Sequence, residues 1–190
     1  LSGLFALPAA AALEDEVTRR AQQIEEQVVT WRRDIHQNPE LSNREFRTAE
    51  LVAEHLRSLG FDKVETGVAH TGVVGTLVGG KPGPTVALRA DMDALPIHEL
   101  NGFDHRSRND GKMHACGHDL HTAMLIGAAR LLSSRKTELS GKVLFMFQRG
   151  EEGHFGARYM LDEGLLDQVD PSPTRAFAVH VTSLHETGTV

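Results

Sequence analysis

Short apolar runs at residues 85–90, 143–147 and 176–181 alternate with stretches of helical periodicity at 119–133 and 154–166. Strands separated by helices are not hairpins, and parallel neighbours need crossovers of this length. The alternation therefore predicts an α/β sandwich whose mixed sheet is at least partly parallel.

Upstream, Val17, Ile24, Val28, Trp31 and Ile35 recur at spacings of three, four or seven within residues 14–37. They make one apolar stripe on a helix that stops before Pro39, and Trp31 reads as core. Residues 44–59 predict a second helix with Phe46, Ala49, Val52, Leu56 and Leu59 inward and Gly60 as its stop. Residues 73–78 read as a strand, followed by the turn cluster Gly79-Gly80-Lys81-Pro82-Gly83-Pro84. Residues 95–112 are polar and irregular, and in helix 119–133 Leu120, Met124, Ala128 and Leu131 share one face.

That polar loop leads into Met113-His114-Ala115-Cys116-Gly117-His118-Asp119-Leu120-His121, which holds the only cysteine. Cys116 and His118 sit two apart, so an extended turn can aim both at one ion. Thiolate and imidazole are donors preferred by Zn²⁺ and similar metals. Strand 85–90 runs into Asp91-Met92-Asp93, strand 143–147 into Gln148-Arg149-Gly150-Glu151-Glu152-Gly153, and the last strand into His180. Ligands of open α/β sheets bind beyond the carboxyl ends of the strands, which places these groups in one crevice with Cys116 and His118. A cysteine, two histidines and several carboxylates exceed the needs of one tetrahedral ion and suit a two-metal site.

Adjacent residues leaving a strand point in opposite directions. One of Glu151 and Glu152 is thus expected to bind metal while the other takes a proton; a solvated acidic turn is the plainer alternative. Asp91 and Asp93 are either ligands, acceptors that orient an imidazole, or a polar strand end. For His114 and His121 a direct ligand role is the less favoured reading, and His121 suits a cap or a bond to a loop. His36 near a helix C-terminus suits the helix dipole. A redox role for Cys116 is disfavoured, because no second cysteine can resolve an oxidised one.

Composition narrows the classes. The chain has 190 residues, 40% hydrophobic and 24% charged, with a formal net charge of −6. Those values are ordinary for one soluble domain, and the acidic balance disfavours nucleic acid as a partner. One cysteine excludes an internal disulfide, and no stretch is long and apolar enough to span a bilayer. The first residue is Leu1 rather than methionine, which reads as a missing start. Residues 1–12 (LSGLFALPAAAA) are apolar, end in small residues and give way to Glu14-Asp15-Glu16. They read as a signal-peptide remnant or an apolar arm; the first implies export to the periplasm or beyond, the second a cytoplasmic protein.

From residue 31 to 190 the chain resembles the di-metal amidohydrolases that include N-acyl-amino-acid amidohydrolases, hippurate hydrolases and plant indole-3-acetyl-amino-acid hydrolases. The resemblance rests on ordered blocks: Arg32-Arg33-Asp34-Ile35-His36 with Asn38-Pro39-Glu40-Leu41, then Leu88-Arg89-Ala90-Asp91-Met92-Asp93-Ala94-Leu95-Pro96-Ile97. Gly111-Lys112-Met113-His114-Ala115-Cys116-Gly117-His118-Asp119, Phe147-Gln148 with Glu151-Glu152-Gly153, and Ala178-Val179-His180-Val181 follow. It implies a zinc-peptidase-like three-layer sandwich over residues 13–190, incomplete because family members continue into a lid or dimerisation domain. A return segment then supplies their last histidine ligand, and the dimerisation domain implies a homodimer for the full-length protein.

The resemblance also implies roles. Cys116, His118, Glu152 and His180 match the ligands of two divalent ions (Zn, Mn, Co or Ni), with Cys116 as the bridge. Glu151 matches the general base, Asp93 a supporting aspartate, and Asp91 stands where related peptidases place a histidine. The implied reaction is hydrolysis of the amide of a small N-acyl amino acid, with Glu151 taking a proton from metal-held water and returning it to the leaving amine. A metal-binding but inactive piece, and a dipeptidase or carboxypeptidase of the same clan, are the alternatives. The chain departs from the pattern at Arg149-Gly150, where relatives read Pro-Ala: Gly150 loosens the backbone, and Arg149 is expected to pair with a carboxylate.

Overall fold

The computed structural model describes residues 7–186, 188 and 189, with side chains from Ala12 onward. Five strands form one sheet: β1 (Lys63–Val68), β2 (Gly72–Val78), β3 (Lys81–Asp91), β4 (Ser140–Gln148) and β5 (Arg175–Ala178). Their spatial order is β1-β2-β4-β3-β5. β3 runs parallel to both β4 and β5, while β2 is antiparallel to β1 and β4. The mixed, partly parallel sheet expected from the alternation is present.

Helices cover both faces, giving three layers. On one face α2 (Phe46–Ser58) and α3 (His118–Ser133) bury Val52, Leu56 and Ile126 against Val73, Leu77, Phe145 and Phe147, with Trp31 of α1 (Leu7–Gln37) packed alongside. On the other, Met160 of α5 (Gly156–Asp162) and Leu165 and Val169 beyond it meet Val74, Ala87 and Leu144. β2 and β4 are buried from both sides, which is why they read as unbroken apolar runs.

Several expectations change. α1 is helical from Leu7, so the part of the presumed signal remnant at residues 1–6 lies outside the described residues. Val17 on its stripe is 49% exposed. Phe46 does not point inward but lies exposed, edge-on to His70. In α3 the buried side is Thr122, Leu125, Ile126 and Ala129, which rests on the sheet; Leu120, Met124, Ala128 and Leu131 face α1 instead. The helix expected over residues 154–166 is broken into a short turn α4 (Glu151–His154), α5 and a 3-10 turn at Leu165–Gln168. β1 was not expected, because an edge strand needs little apolar alternation. No helix among the described residues is long and apolar enough to cross a membrane.

Candidate metal centre

Register brings the strand ends level. Asp91 pairs with Gln148 across β3 and β4, and Arg89 pairs with Ala178 across β3 and β5, so His180 follows at the height of Asp91. Beyond the sheet, Leu95 and Met113 exchange backbone hydrogen bonds of 3.0 Å in both directions. That bridge draws the Asp91–Asp93 block against the segment carrying Cys116. The chain then reverses into α3 at Gly117, whose φ of 90° L side chains rarely adopt. A Cβ there would also lie 2.3 Å from Val181 Cγ2.

His118 is the hub. Its Nδ1 lies 2.8 Å from the backbone carbonyl of Asp93 and 3.2 Å from Asp93 Oδ1. Nε2 faces Asp91 Oδ2 at 3.5 Å, and Glu151 Oε2 and Glu152 Oε1 at 3.9 Å each. Buried as it is, Nε2 has no hydrogen-bond partner among the described residues, and neither does Glu152 Oε1. Cys116 Sγ lies 3.5 Å from His180 Nε2, whose Nδ1 donates to the Val181 carbonyl at 2.6 Å. Donor atoms of Cys116, His118 and Glu152 all lie within 4.8 Å of one another, and so do those of Asp91, His118, His121 and His180. Of the sequence-predicted residues, Cys116, His118, Glu152 and His180 thus fall in two groups that share His118, Glu151 reaches the same Nε2, and Asp93 lies behind the ring on Nδ1.

His121 belongs to this second group by distance but is already committed. Its Nδ1 donates to Asp91 Oδ1 at 2.6 Å, and its Nε2 accepts the Val181 N–H at 3.0 Å. With both ring nitrogens engaged it orients Asp91 and the segment after His180. His114 is buried with neither nitrogen partnered among the described residues, and burial drives its pKa down to about 4; it joins neither group.

Glu151 and Glu152 do not diverge as strand residues would. Gly150 takes φ 55° and ψ 47°, and Glu152 follows with non-helical φ −70° and ψ 78°, so both carboxylates reach the same imidazole. Gly150 N–H donates to the buried Glu45 Oε1 at 2.8 Å. Glu45 also accepts from Asn43 N–H at 3.0 Å and Thr71 Oγ1 at 2.6 Å, tying this turn to two other loops. Arg149 pairs with no carboxylate among the described residues. It donates to Asn43 Oδ1 and lies over the Tyr159 ring, 5.0 Å from its centre.

The electrostatics favour a cation. Burial and the neighbouring Glu152, Glu151 and Asp91 push the Cys116 thiol up to about 12. Asp91 and Asp93 are held below the usual carboxylate range: burial opposes this, but the bonds from His121 to Asp91 and from His118 and Ser42 to Asp93 prevail. Arg89 Nη1 stands 2.8 Å from Asp91 Oδ2, an ion pair without hydrogen-bond alignment. A thiol, imidazoles and clustered carboxylates with unpartnered buried atoms are a donor set that a transition-metal ion satisfies. Ser42, Glu45 and Arg89 were not singled out as supports, and no spacing or residue type marked them; the bond from His121 to a loop, one of its expected roles, is present at Val181.

Comparison with known proteins fits this picture. The family model for peptidase family M20/M25/M40 matches residues 87–190. The chain is 46% identical over 179 residues to thermostable carboxypeptidase 2 of Saccharolobus solfataricus, covering 93% of this chain and 44% of that protein. It is 44% identical over 158 residues to an N-acyl-L-amino acid amidohydrolase of Geobacillus stearothermophilus, covering 83% and 42%. A crystal structure of a dinuclear metal binding peptidase from Bacillus subtilis superposes with a TM-score of 0.78 at 39% identity, over 85% of this chain and 44% of that one. The chain thus spans less than half the length of each of these relatives.

Proposed function

The chain belongs to peptidase family M20/M25/M40, and from that premise we propose that it carries the cation-binding site of a hydrolase that cleaves the amide of N-acyl amino acids. Cys116, His118, Glu152 and His180 are the ligands of two divalent ions, and Glu151 is the general base. The observation that carries this reading is the convergence, beside Cys116, of Nε2 of His118 and Oε1 of Glu152, both without a hydrogen-bond partner among the described residues. Ions held there would polarise the scissile carbonyl and make water a better nucleophile at neutral pH.

The side chains divide the remaining work. Glu151, with 40% of its side chain exposed, accepts no side-chain hydrogen bond among the described residues and can take a proton from water and hand it to the leaving amine. Glu152 is more enclosed, at 24%. Asp93 holds His118 through its carbonyl and accepts the Glu152 N–H at 2.9 Å, so one residue sets the orientation of two ligands. The apolar composition of residues 1–12 supports export.

Turnover of N-acetyl and N-benzoyl amino acids with added Zn²⁺, Mn²⁺ or Co²⁺ tests the reading. Glu151→Gln should abolish turnover and keep bound metal; unchanged turnover would remove the base assignment. A second reading, carboxypeptidase action on peptides, is favoured by the likeness to a protein named as a carboxypeptidase over 93% of this chain. Both substrates present an amide whose amine side bears a free carboxylate. Faster cleavage of peptides with a free N-terminus than of acylated ones would favour the second. A chain that binds metal yet cleaves neither would be a metal-binding but catalytically inactive piece.

A further inference from the structure

His36, at the end of α1, is 2% exposed, and none of the roles above uses it. Its Nδ1 lies 2.8 Å from Asp119 Oδ2 and its Nε2 3.0 Å from Glu99 Oε1, two carboxylates as buried as itself. Donation from both ring nitrogens at once is a property of the imidazolium. Arg32 Nε completes the cluster at 2.7 Å from Asp119 Oδ2. His105 and His114 flank the ring from the loop side.

The two carboxylates come from the segments that define the metal site. Asp119 is the residue after His118, in the first turn of α3. Glu99 lies in the loop between the Asp93 and Cys116 blocks, and it also accepts the Ser107 N–H at 2.5 Å and the Asn101 side chain at 2.9 Å. The same loop is fastened to the end of α1 by Arg108 N–H to the Gln37 carbonyl at 2.9 Å and Gln37 Nε2 to the Asp104 carbonyl at 2.9 Å. His36 is the one side chain among the described residues that bonds directly to both the loop carboxylate and the turn after His118.

We propose that His36 is a positioning residue for the metal centre. By clamping Glu99 to Asp119 it fixes where the Cys116 loop meets the His118 turn, and cation affinity depends on it although it touches neither ligand. This rests on the ligand assignment made above. Truncating His36 removes the donor that the two buried carboxylates share and leaves Asp119 paired with Arg32 alone; the loop then keeps only its attachments to α1, through Arg108 and Gln37 and through Arg32 Nη1, 3.2 Å from His105 Nε2.

Competition with a chelator for zinc on the full chain tests this. His36→Ala is expected to weaken zinc binding by about 10–100-fold, the range for residues that orient ligands. Asp119→Asn should do the same, and the double variant should lose little more than either single one, since both break one clamp. His36→Gln, whose single amide nitrogen cannot stand at both ring-nitrogen positions, should fall between. The cobalt(II)–thiolate absorption reports whether Cys116 still ligates, which lowered stability alone would not alter. Glu99→Gln gives the same reading if His36→Ala does not fold. Zinc binding within about twofold of the parent and an unchanged cobalt spectrum would overturn the proposal. A parent chain that binds no zinc would instead overturn the ligand assignment itself.

Discussion

His121 donates its Nδ1 hydrogen to Asp91 Oδ1 across 2.6 Å while accepting the Val181 N–H at its other nitrogen. One neutral-tautomer ring thus joins the end of β3 to the segment that carries His180. His121→Phe puts a larger, apolar ring in its place and strands a fully buried carboxylate oxygen together with the Val181 N–H. It is expected to cost about 3 kcal/mol or more in urea unfolding, since one unpaired buried group costs about 1–3 kcal/mol and a charged one more. A change below about 0.5 kcal/mol, the level of an ordinary surface substitution, would show that the bond does not hold the site together.

Gly117 offers a test in which two causes separate. Gly117→Ala meets both an unfavourable φ of 90° and the Val181 Cγ2 atom 2.3 Å from the new Cβ. The backbone part is about 1–2 kcal/mol. Adding Val181→Ala should recover the steric part and leave the backbone part. Full recovery in the double variant, read by thermal unfolding, would argue against a left-handed residue here.

Glu45 organises the turn that aims Glu151 and Glu152. Glu45→Ala strands the Gly150 and Asn43 N–H groups that share Oε1, at about 1–3 kcal/mol for each that stays buried. Glu45→Gln keeps that oxygen, and the Thr71 hydroxyl can turn to accept from the new amide, so it should be markedly milder. Equal losses from the two would mean that charge, not hydrogen bonding, is what Glu45 contributes.

These supports mark where a sequence reading stops. β2, β4 and α3 were legible because burial writes itself as apolar runs and helical periodicity. The gathering of Cys116, His118, His180 and the Glu151–Glu152 pair was legible because strands of an open α/β sheet deliver their ends to one crevice, whereas the assignment of Glu152 rather than Glu151 as ligand came from the family resemblance alone. β1 was not, since an edge strand with exposed Lys63 and Thr66 side chains has no clear pattern. Nor was the shared direction of Glu151 and Glu152, which depends on the left-handed Gly150, nor Arg149's choice of Asn43 and Tyr159. The His36 clamp joins residues 83 and 63 positions apart, a pairing that only the packed chain creates.

The His36 cluster also makes stability depend on pH. Burial pulls the imidazole down, but its bonds to Asp119 and Glu99 hold its pKa above the ordinary 6.5. A raised pKa means that its contribution is complete below about pH 6.5 and is lost as pH climbs through the raised value. Asp119, held low chiefly by His36 against the cost of burial, acts oppositely and loses its contribution on acidification. Unfolding temperatures measured across this range should fall on the alkaline side in the parent and flatten there in His36→Asn. An identical alkaline slope in both would assign the loss to another group.

X-ray absorption at zinc bound to the chain examines the convergence of Cys116 with the imidazoles most directly. Since Cys116 is the only cysteine, a sulfur scatterer at about 2.3 Å together with nitrogen or oxygen at about 2.0–2.2 Å is the expected result, with the sulfur absent in Cys116→Ser. A parent spectrum with nitrogen and oxygen neighbours alone would contradict the site described here.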